Sequence, residues 1–213
     1  MRKKKNKYLL NKRLKILKIA KNIIAKEGCN AKTFNIISKH SKLNENETHL
    51  LFPEGHNDLI KFTLEQLNED LENYCKNLDL IRMPLHKRIR KIILSKILLM
   101  NKEKNFYKKI FISLLLPKRT IFLPKQLYKS IDQIWFIAGD TSVDFNFYTK
   151  RLILSGIYSR VILFFFNNND QITLEKNLDS DLQKVSKIPE FKSKINIFKN
   201  YFPTLLKFIK NPY

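Results

Sequence analysis

The feature that most constrains the fold is the stretch from Ile134 to Asp170, in which two apolar segments meet at a short polar turn, residues 139–142. Gly139 opens this turn, and glycine adopts a positive φ at little steric cost, so a helix is expected to end there. Asp144 follows at a position where its carboxylate can accept hydrogen bonds from the free N–H groups of a new helix. The stretch therefore predicts a helix, a tight turn and a second helix.

The second apolar segment, residues 145–166, is apolar around most of its circumference. A membrane span needs roughly 20 apolar residues without charges. Lys150, Arg151 and Arg160 interrupt the segment, and each cation costs about 2.5–3.5 kcal/mol at the centre of a bilayer. We therefore expect a buried central helix of an all-α core.

The composition favours the all-α class, because a chain of 213 residues with four glycines and seven prolines has few residues for the many turns of a β-protein. Its 44% hydrophobic content is enough for a sizeable core. Helical spacing of apolar residues recurs along the chain. It predicts helices over residues 7–26, 33–39, 57–77, 85–101, 106–116, 145–166 and 172–185, and another helix that begins near Leu123. Pro84 is expected in the first turn of the helix at residues 85–101.

The net charge of +22 would suit nucleic acid or an anionic membrane surface. An alternative is codon bias, since lysine, asparagine and isoleucine are all abundant, as in the proteins of A/T-rich genomes. Cys29 and Cys75 are isolated, which suits a reducing compartment. The basic N-terminus has an apolar core too short for a signal peptide. We expect a protein of the bacterial cytoplasm, peripheral to the inner membrane, or of the mitochondrial matrix face in a eukaryote.

The first 55 residues have the outline of a helix-turn-helix unit, with two short helices followed by Leu51-Phe52-Pro53 and a long helix. In a DNA reader the second helix enters the major groove and carries basic or amide side chains to the bases. Here that helix begins with Glu45 and Glu47, and the phosphates of DNA would repel their carboxylates. We therefore do not expect DNA as a partner.

The stretch around Gly139 resembles the signature of a ubiquinone-biosynthesis accessory family. The resemblance rests on Ile134-Trp135, Ala138-Gly139-Asp140, Ser142, Asp144, Asn146, Tyr148, Lys150-Arg151 and Tyr158. That family is the lipid-binding, TetR-like partner of the di-iron demethoxyubiquinone hydroxylase. This chain departs from the pattern in having Phe147 where the family usually has Trp, and Val161 where it usually has Thr. The resemblance implies a TetR-like fold with a helix-turn-helix-like unit (7–55), a lipid-binding bundle with an apolar interior pocket (56–187) and an amphipathic tail (188–213), with homodimerisation as an analogy to such folds.

The resemblance also implies a hydroxylase-facing patch at Asp144, Phe147, Tyr148 and Arg151. Their spacing of three and four residues places them side by side on a helix. An aromatic pair with an arginine is typical of the clusters that dominate interface energies. The alternative is that Phe147 and Tyr148 belong to the core.

An isoprenoid or quinone lipid is the ligand that the resemblance implies, and its pocket must be apolar because a buried polar group without a partner costs about 1–3 kcal/mol. We expect the pocket among the apolar helices of the bundle. The candidate lining residues are Leu94, Ile97, Leu98, Ile110, Leu114, Ile134, Trp135, Ile157, Tyr158 and Val161.

The C-terminal segment carries apolar residues at helical spacing with lysines largely off that stripe, as in helices that lie in a membrane interface. Its candidate membrane contacts are Phe191, Ile195, Phe198, Phe202, Leu205, Leu206 and Ile209. Docking on the bundle is the alternative.

The sequence contains no pattern that predicts catalysis. The histidines are not spaced as metal ligands on one helical face, and no glycine-rich phosphate loop or nucleophile elbow is present. We therefore expect a non-enzymatic accessory protein without metal or cofactor. The alternative is a TetR-type transcriptional regulator with a hydrophobic ligand.

Overall fold

The computed structural model describes residues 2–116, 122–140 and 145–186, and the regular structure in these ranges is entirely α-helical. The predicted all-α class is therefore confirmed, whereas the TetR-like arrangement stays a prediction. In chain order the helices are α1 Arg2–Glu27, α2 Ala31–His40, α3 Glu45–Leu51, α4 His56–Cys75, α5 Leu85–Asn101, α6 Lys104–Leu114, α7 Phe122–Ile137, α8 Phe145–Asn167 and α9 Gln171–Ser186.

Local signals explain where several of these helices begin and end. The Asn30 side chain accepts a hydrogen bond of 2.9 Å from the Thr33 amide at the start of α2. Asn44 and Glu47 form a reciprocal capping box on α3. Gly139 has a φ of +79° two residues after the last residue of α7, as expected for a residue that stops a helix. Pro84 immediately precedes α5, so its predicted place in the first turn is off by one residue.

The helices share one hydrophobic core, which extends from α1 to α9. Helices α4, α5, α7, α8 and α9 pack on one another, while α1 packs against α2 and α6. Helix α6 therefore connects the N-terminal helices to the rest of the bundle. The predicted boundary at residues 55 and 56 coincides with the start of α4.

Helix α8 is less buried than its sequence predicts. Leu154, Tyr158 and Val161 are buried, but Leu152 and Leu163 are 59% and 55% exposed. The expectation of a helix buried on all sides is therefore wrong for one face, which no described helix covers. Within the described ranges, none of the helices combines the length and apolarity of a membrane span.

Candidate functional site

The signature stretch forms a network of charges that joins the end of α7 to the beginning of α8. Arg151 lies on α8, is only 7% exposed, and donates from Nε to an Asp132 carboxylate oxygen on α7 at 2.8 Å. Its Nη1 donates to the Phe147 carbonyl at 3.2 Å, and an Asp140 oxygen lies 3.4 Å away. Lys150 donates to the other Asp140 oxygen at 2.8 Å. These bonds fix the angle between α7 and α8.

The two aromatic residues of the predicted partner patch lie on this network. The Arg151 guanidinium stacks on the Phe147 ring, 3.3 Å from its centroid, and the Phe147 ring meets the Tyr148 ring edge-on at 5.1 Å. Tyr148 is 40% exposed and therefore accessible to a partner. Arg151 instead lies beneath the aromatic pair, which gives it a positioning role in this patch. Asp144, the fourth predicted partner residue, lies outside the described residues.

Tyr128 of α7 extends the same surface, and sequence reasoning missed it. It is 46% exposed, and its pKa is raised by partial burial and then by the Asp132 carboxylate, with a smaller effect from the nearby Tyr148. The available signal was its spacing of four residues from Asp132, which places both on one helical face. The patch therefore contains Tyr128, Phe147 and Tyr148 above the charge network.

An apolar cavity of about 200 Å³ lies between α4, α6, α7 and α8. Its inner wall includes Leu64, Tyr158 and Ile162, while Leu115 and Leu163 stand at its mouth and are more than half exposed. The remaining lining residues are Phe111, Leu114, Leu123, Gln126, Leu127, Ser130, Ser159 and Phe166. The cavity opens to solvent on the exposed side of α8.

Of the ten predicted lipid-binding residues, Leu114 and Tyr158 line this cavity. Leu94 is half-buried and Leu98 is 48% exposed on α5. The other six are buried in the bundle core, namely Ile97, Ile110, Ile134, Trp135, Ile157 and Val161. Helical spacing groups apolar residues on one face of a helix, but it does not distinguish a side chain that fills the core from one that lines a cavity.

The cavity wall carries a few polar groups. Gln126 and Ser130 lie one turn apart on α7, and both are less than 7% exposed. Tyr158 faces them from α8, and its hydroxyl is buried without a hydrogen bond of normal geometry. Burial raises the pKa of this phenol, an effect that Ser130 partly offsets. A largely apolar pocket with few polar groups is typical of sites for lipophilic molecules.

Lys96 lies behind the cavity wall. It is 1% exposed, donates to the Asn68 amide oxygen at 2.8 Å, and its ammonium group is 5.3 Å from the centroid of the Tyr158 ring. Burial lowers the pKa of Lys96 to about 7, because the charged form loses its hydration. In the sequence, Lys96 is one lysine among the apolar residues of α5, and this pattern does not predict that it is buried.

Two further predictions concern the helix-turn-helix-like unit and the C-terminal segment. Glu47 on α3 forms an ion pair with Lys12 on α1 in addition to its capping box, so its carboxylate has a structural partner. The candidate membrane contacts from Phe191 to Ile209 lie outside the described residues. No cluster of metal-ligand side chains occurs within residues 2–116, 122–140 and 145–186.

Comparison with known proteins gives a match that includes the signature stretch. The COQ9 family model matches residues 122–189, about a third of the chain. The family resemblance predicted from the sequence is therefore confirmed, and it covers α7, α8, α9 and the charge network between them.

Similar proteins carry related names. The "Ubiquinone biosynthesis protein COQ9, mitochondrial" of Rattus norvegicus is 46% identical over 46 residues, which are 22% of this chain and 15% of the rat protein. The protein of that name from Bos taurus is 52% identical over 33 residues, 16% of this chain and 10% of the bovine protein. The "Probable ubiquinone biosynthesis protein coq9, mitochondrial" of Dictyostelium discoideum is 28% identical over 81 residues, 37% of this chain and 26% of the relative. The chain thus matches well under two thirds of the length of these relatives.

Proposed function

We propose that this chain, which shares its signature stretch with the COQ9 family, is a non-enzymatic accessory protein of ubiquinone biosynthesis. It binds an isoprenoid quinone precursor and presents it to the di-iron hydroxylase at the membrane. The pathway follows from the similarity to proteins named for ubiquinone biosynthesis. The observation that carries the lipid-binding part is the apolar cavity between α4, α6, α7 and α8.

The chemistry of the cavity suits a polyprenyl compound. Such a lipid is insoluble in water, and transfer of apolar surface into an apolar cavity gains about 25 cal/mol per Å². Leucines and phenylalanines supply most of the lining, and Gln126 and Ser130 supply hydrogen-bonding groups for an oxygen on the ligand. A cavity of about 200 Å³ with an open mouth holds one end of a long lipid and leaves the rest outside.

The cavity mouth and the aromatic patch lie along one helix, which suits the transfer of a ligand to a partner. Ser159 and Leu163 border the cavity, and Leu152 and Tyr148 continue the exposed side of α8 toward its N-terminus. The rise of 1.5 Å per residue places Tyr148 about 16 Å from Ser159. A hydroxylase docked on the patch would therefore lie within one lipid length of the cavity.

Extraction of the purified protein with organic solvent, followed by mass spectrometry, tests the lipid site. The proposal predicts an isoprenoid quinone or its precursor in near-stoichiometric amount after purification without detergent. An extract with no lipid from protein expressed in a quinone-producing host would contradict it. Pull-down of the hydroxylase by the full chain tests the partner separately.

A further inference from the structure

The outward side of α1 carries a line of lysine and asparagine side chains. The apolar residues of this helix that are buried against the rest of the molecule include Ile16, Ala20 and Ile24. On the opposite side, exposed residues recur at spacings of three and four, which places them in one line along the helix. We call this line the lysine row, and it consists of Lys7, Asn11, Lys15, Lys18, Asn22 and Lys26.

The carboxylates nearest to α1 are held by lysines at the edges of the lysine row. Glu47 of α3 pairs with Lys12, and Glu103, which precedes α6, pairs with Lys21 at 2.6 Å. The one acid of α1 itself is its last residue, Glu27. No ion pair within the described residues involves a lysine of the row. The positive charge of the row is therefore available to an anionic partner.

The positive charge of the chain is concentrated around this helix. Residues 2–44 contain fourteen lysines and arginines and one acid, so about a fifth of the chain carries more than half of the net charge of +22. Helix α4, in contrast, contains five acids and one lysine. Codon bias alone would spread lysine along the whole chain. The arrangement instead favours a binding surface on the outward side of α1.

We propose that the lysine row binds the phosphate backbone of a nucleic-acid duplex without reading its bases. The row is about 28 Å long at a rise of 1.5 Å per residue. It therefore spans about eight base pairs, and a duplex presents phosphates along that whole length. Lysine and asparagine side chains both donate hydrogen bonds to phosphate oxygens. The acidic start of α3 argues against base reading by that helix, whereas contact between α1 and phosphates needs no base.

The burial of the apolar side of α1 argues against a bilayer as the occupant. A helix that lies in a membrane interface inserts its apolar face among the acyl chains. In α1 that face, with Ile16, Ala20 and Ile24, is already buried in the core. Single-strand binders add aromatic side chains on which bases stack, and the row has one ring, Tyr8, beside its first residue. A straight row of hydrogen-bond donors fits a duplex bound through its phosphates.

Fluorescence anisotropy of labelled duplexes of about 20 base pairs tests the lysine row in the full chain. A DNA duplex and an RNA duplex of the same sequence are the two probes, each titrated over a range of KCl concentrations. Lys15→Gln with Lys18→Gln removes two charges from the middle of the row. The matched control is Lys87→Gln with Lys91→Gln, which removes two exposed charges from α5 beside α9. Circular dichroism verifies that both variants are folded.

We expect the parent to bind with an affinity that falls steeply as salt rises, because each lysine bound to a phosphate releases counterions. The row variant should bind about tenfold more weakly at about 100 mM salt, and its slope of log K against log salt should be smaller by about two. The control should stay within about twofold of the parent. Binding of DNA, of RNA or of both shows which duplex supplies the shared phosphate chemistry.

Two results would overturn the proposal. Equal losses in the row variant and the control would show that net charge, rather than the row, attracts the duplex. Binding of neither duplex by the parent at about 50 mM salt would remove nucleic acid as the occupant. In that case, loss of binding to phosphatidylcholine and phosphatidylglycerol vesicles by the row variant would assign the row to a membrane.

This inference does not depend on the proposed function. The cavity lies between α4, α6, α7 and α8, so the substitutions in α1 leave its lining intact. The row variant should therefore retain as much extractable lipid as the parent. An extract without lipid from both proteins would count against the cavity function and leave the duplex titration unaffected.

Discussion

Arg151 holds the two signature helices together, because its guanidinium bonds Asp132 and lies near Asp140 while stacking on Phe147. Removal of one member of a buried ion pair leaves the other without its partner and typically costs about 3–5 kcal/mol. Arg151→Ala should therefore lower the free energy of unfolding by about 3 kcal/mol, since Asp132 is partly solvated and recovers some hydration. Chemical denaturation measures this. Lys184→Ala, at an exposed lysine on α9, is the control, and an equally small effect for both would show that the network contributes little.

Tyr148 contributes an exposed aromatic surface to the proposed hydroxylase contact. Tyr148→Ala should weaken binding of the hydroxylase by about 2 kcal/mol, as expected for an aromatic interface residue, and change the stability of the chain by less than about 1 kcal/mol. Titration calorimetry with the purified hydroxylase measures the affinity. Tyr74→Ala, at a similarly exposed tyrosine on α4, serves as the control. A large drop in melting temperature with unchanged affinity would place Tyr148 in the core instead.

Lys96 makes stability depend on pH, because its folded pKa is about 7 whereas the unfolded value is near 10.5. Between these values the unfolded state binds more protons than the folded state, so stability rises as the pH rises from about 7 toward 10.5. The destabilisation by the buried charge is fully present below about pH 7. Lys96→Met should remove this dependence and raise stability at pH 6.

The measurement is the urea midpoint of the parent and of Lys96→Met at pH 6 and pH 9. The difference between the two proteins should be larger at pH 6. A gap of equal size at both pH values would mean that Lys96 has the same pKa in the folded and unfolded states, as a solvated ammonium group has.

At the residue level, the sequence predicted which side chains are neighbours on a helix better than it predicted which of them are exposed. The positions 144, 147, 148 and 151 are neighbours on a helix, but 151 turns toward α7 because Asp132 and Asp140 attract its charge. That attraction depends on the angle between two helices, which no local pattern reveals. Tyr128 was missed for the same reason, since it lies near Tyr148 only after α7 and α8 have packed.

Among the elements, helix bounds were predicted well because capping residues and apolar spacing are local signals. Helix α5 begins and ends where predicted, and α8 differs by one residue. Local signals of this kind did not predict the position of the cavity. Leu114 lines it while Ile110, one turn away on α6, fills the core. This difference arises from the separation of α6 and α8, a property of the packed bundle.

Helix α8 offers a direct test of the cavity. Ser159→Phe should fill the opening with an apolar ring and exclude lipid, while stability changes by about 1 kcal/mol or less because the ring enters existing space. Ser155→Phe, one turn earlier and away from the cavity, is the matched control. Thermal melts measure stability, and a fluorescent fatty acid measures access to the cavity. Equal uptake by both variants would mean that the ligand binds elsewhere.

The whole molecule combines a strong positive charge with an apolar opening on one face. The net charge of +22 alone left nucleic acid, membrane and codon bias open as explanations. The structure adds the arrangement, since the exposed side chains of Leu115 and Leu163 lie at the mouth of the apolar cavity. The sequence therefore predicted the class of fold and the signature stretch, whereas the relation between charge, cavity and aromatic patch depends on tertiary packing.

Solvent extraction of the full chain, purified without detergent from a quinone-producing host, tests the central claim most directly. Mass spectrometry of the extract should show an isoprenoid quinone or precursor at near-stoichiometric amount in the parent and in Ser155→Phe, and a strongly reduced amount in Ser159→Phe. Extracts without lipid in all three proteins, or equal lipid in Ser159→Phe and the parent, would contradict the account.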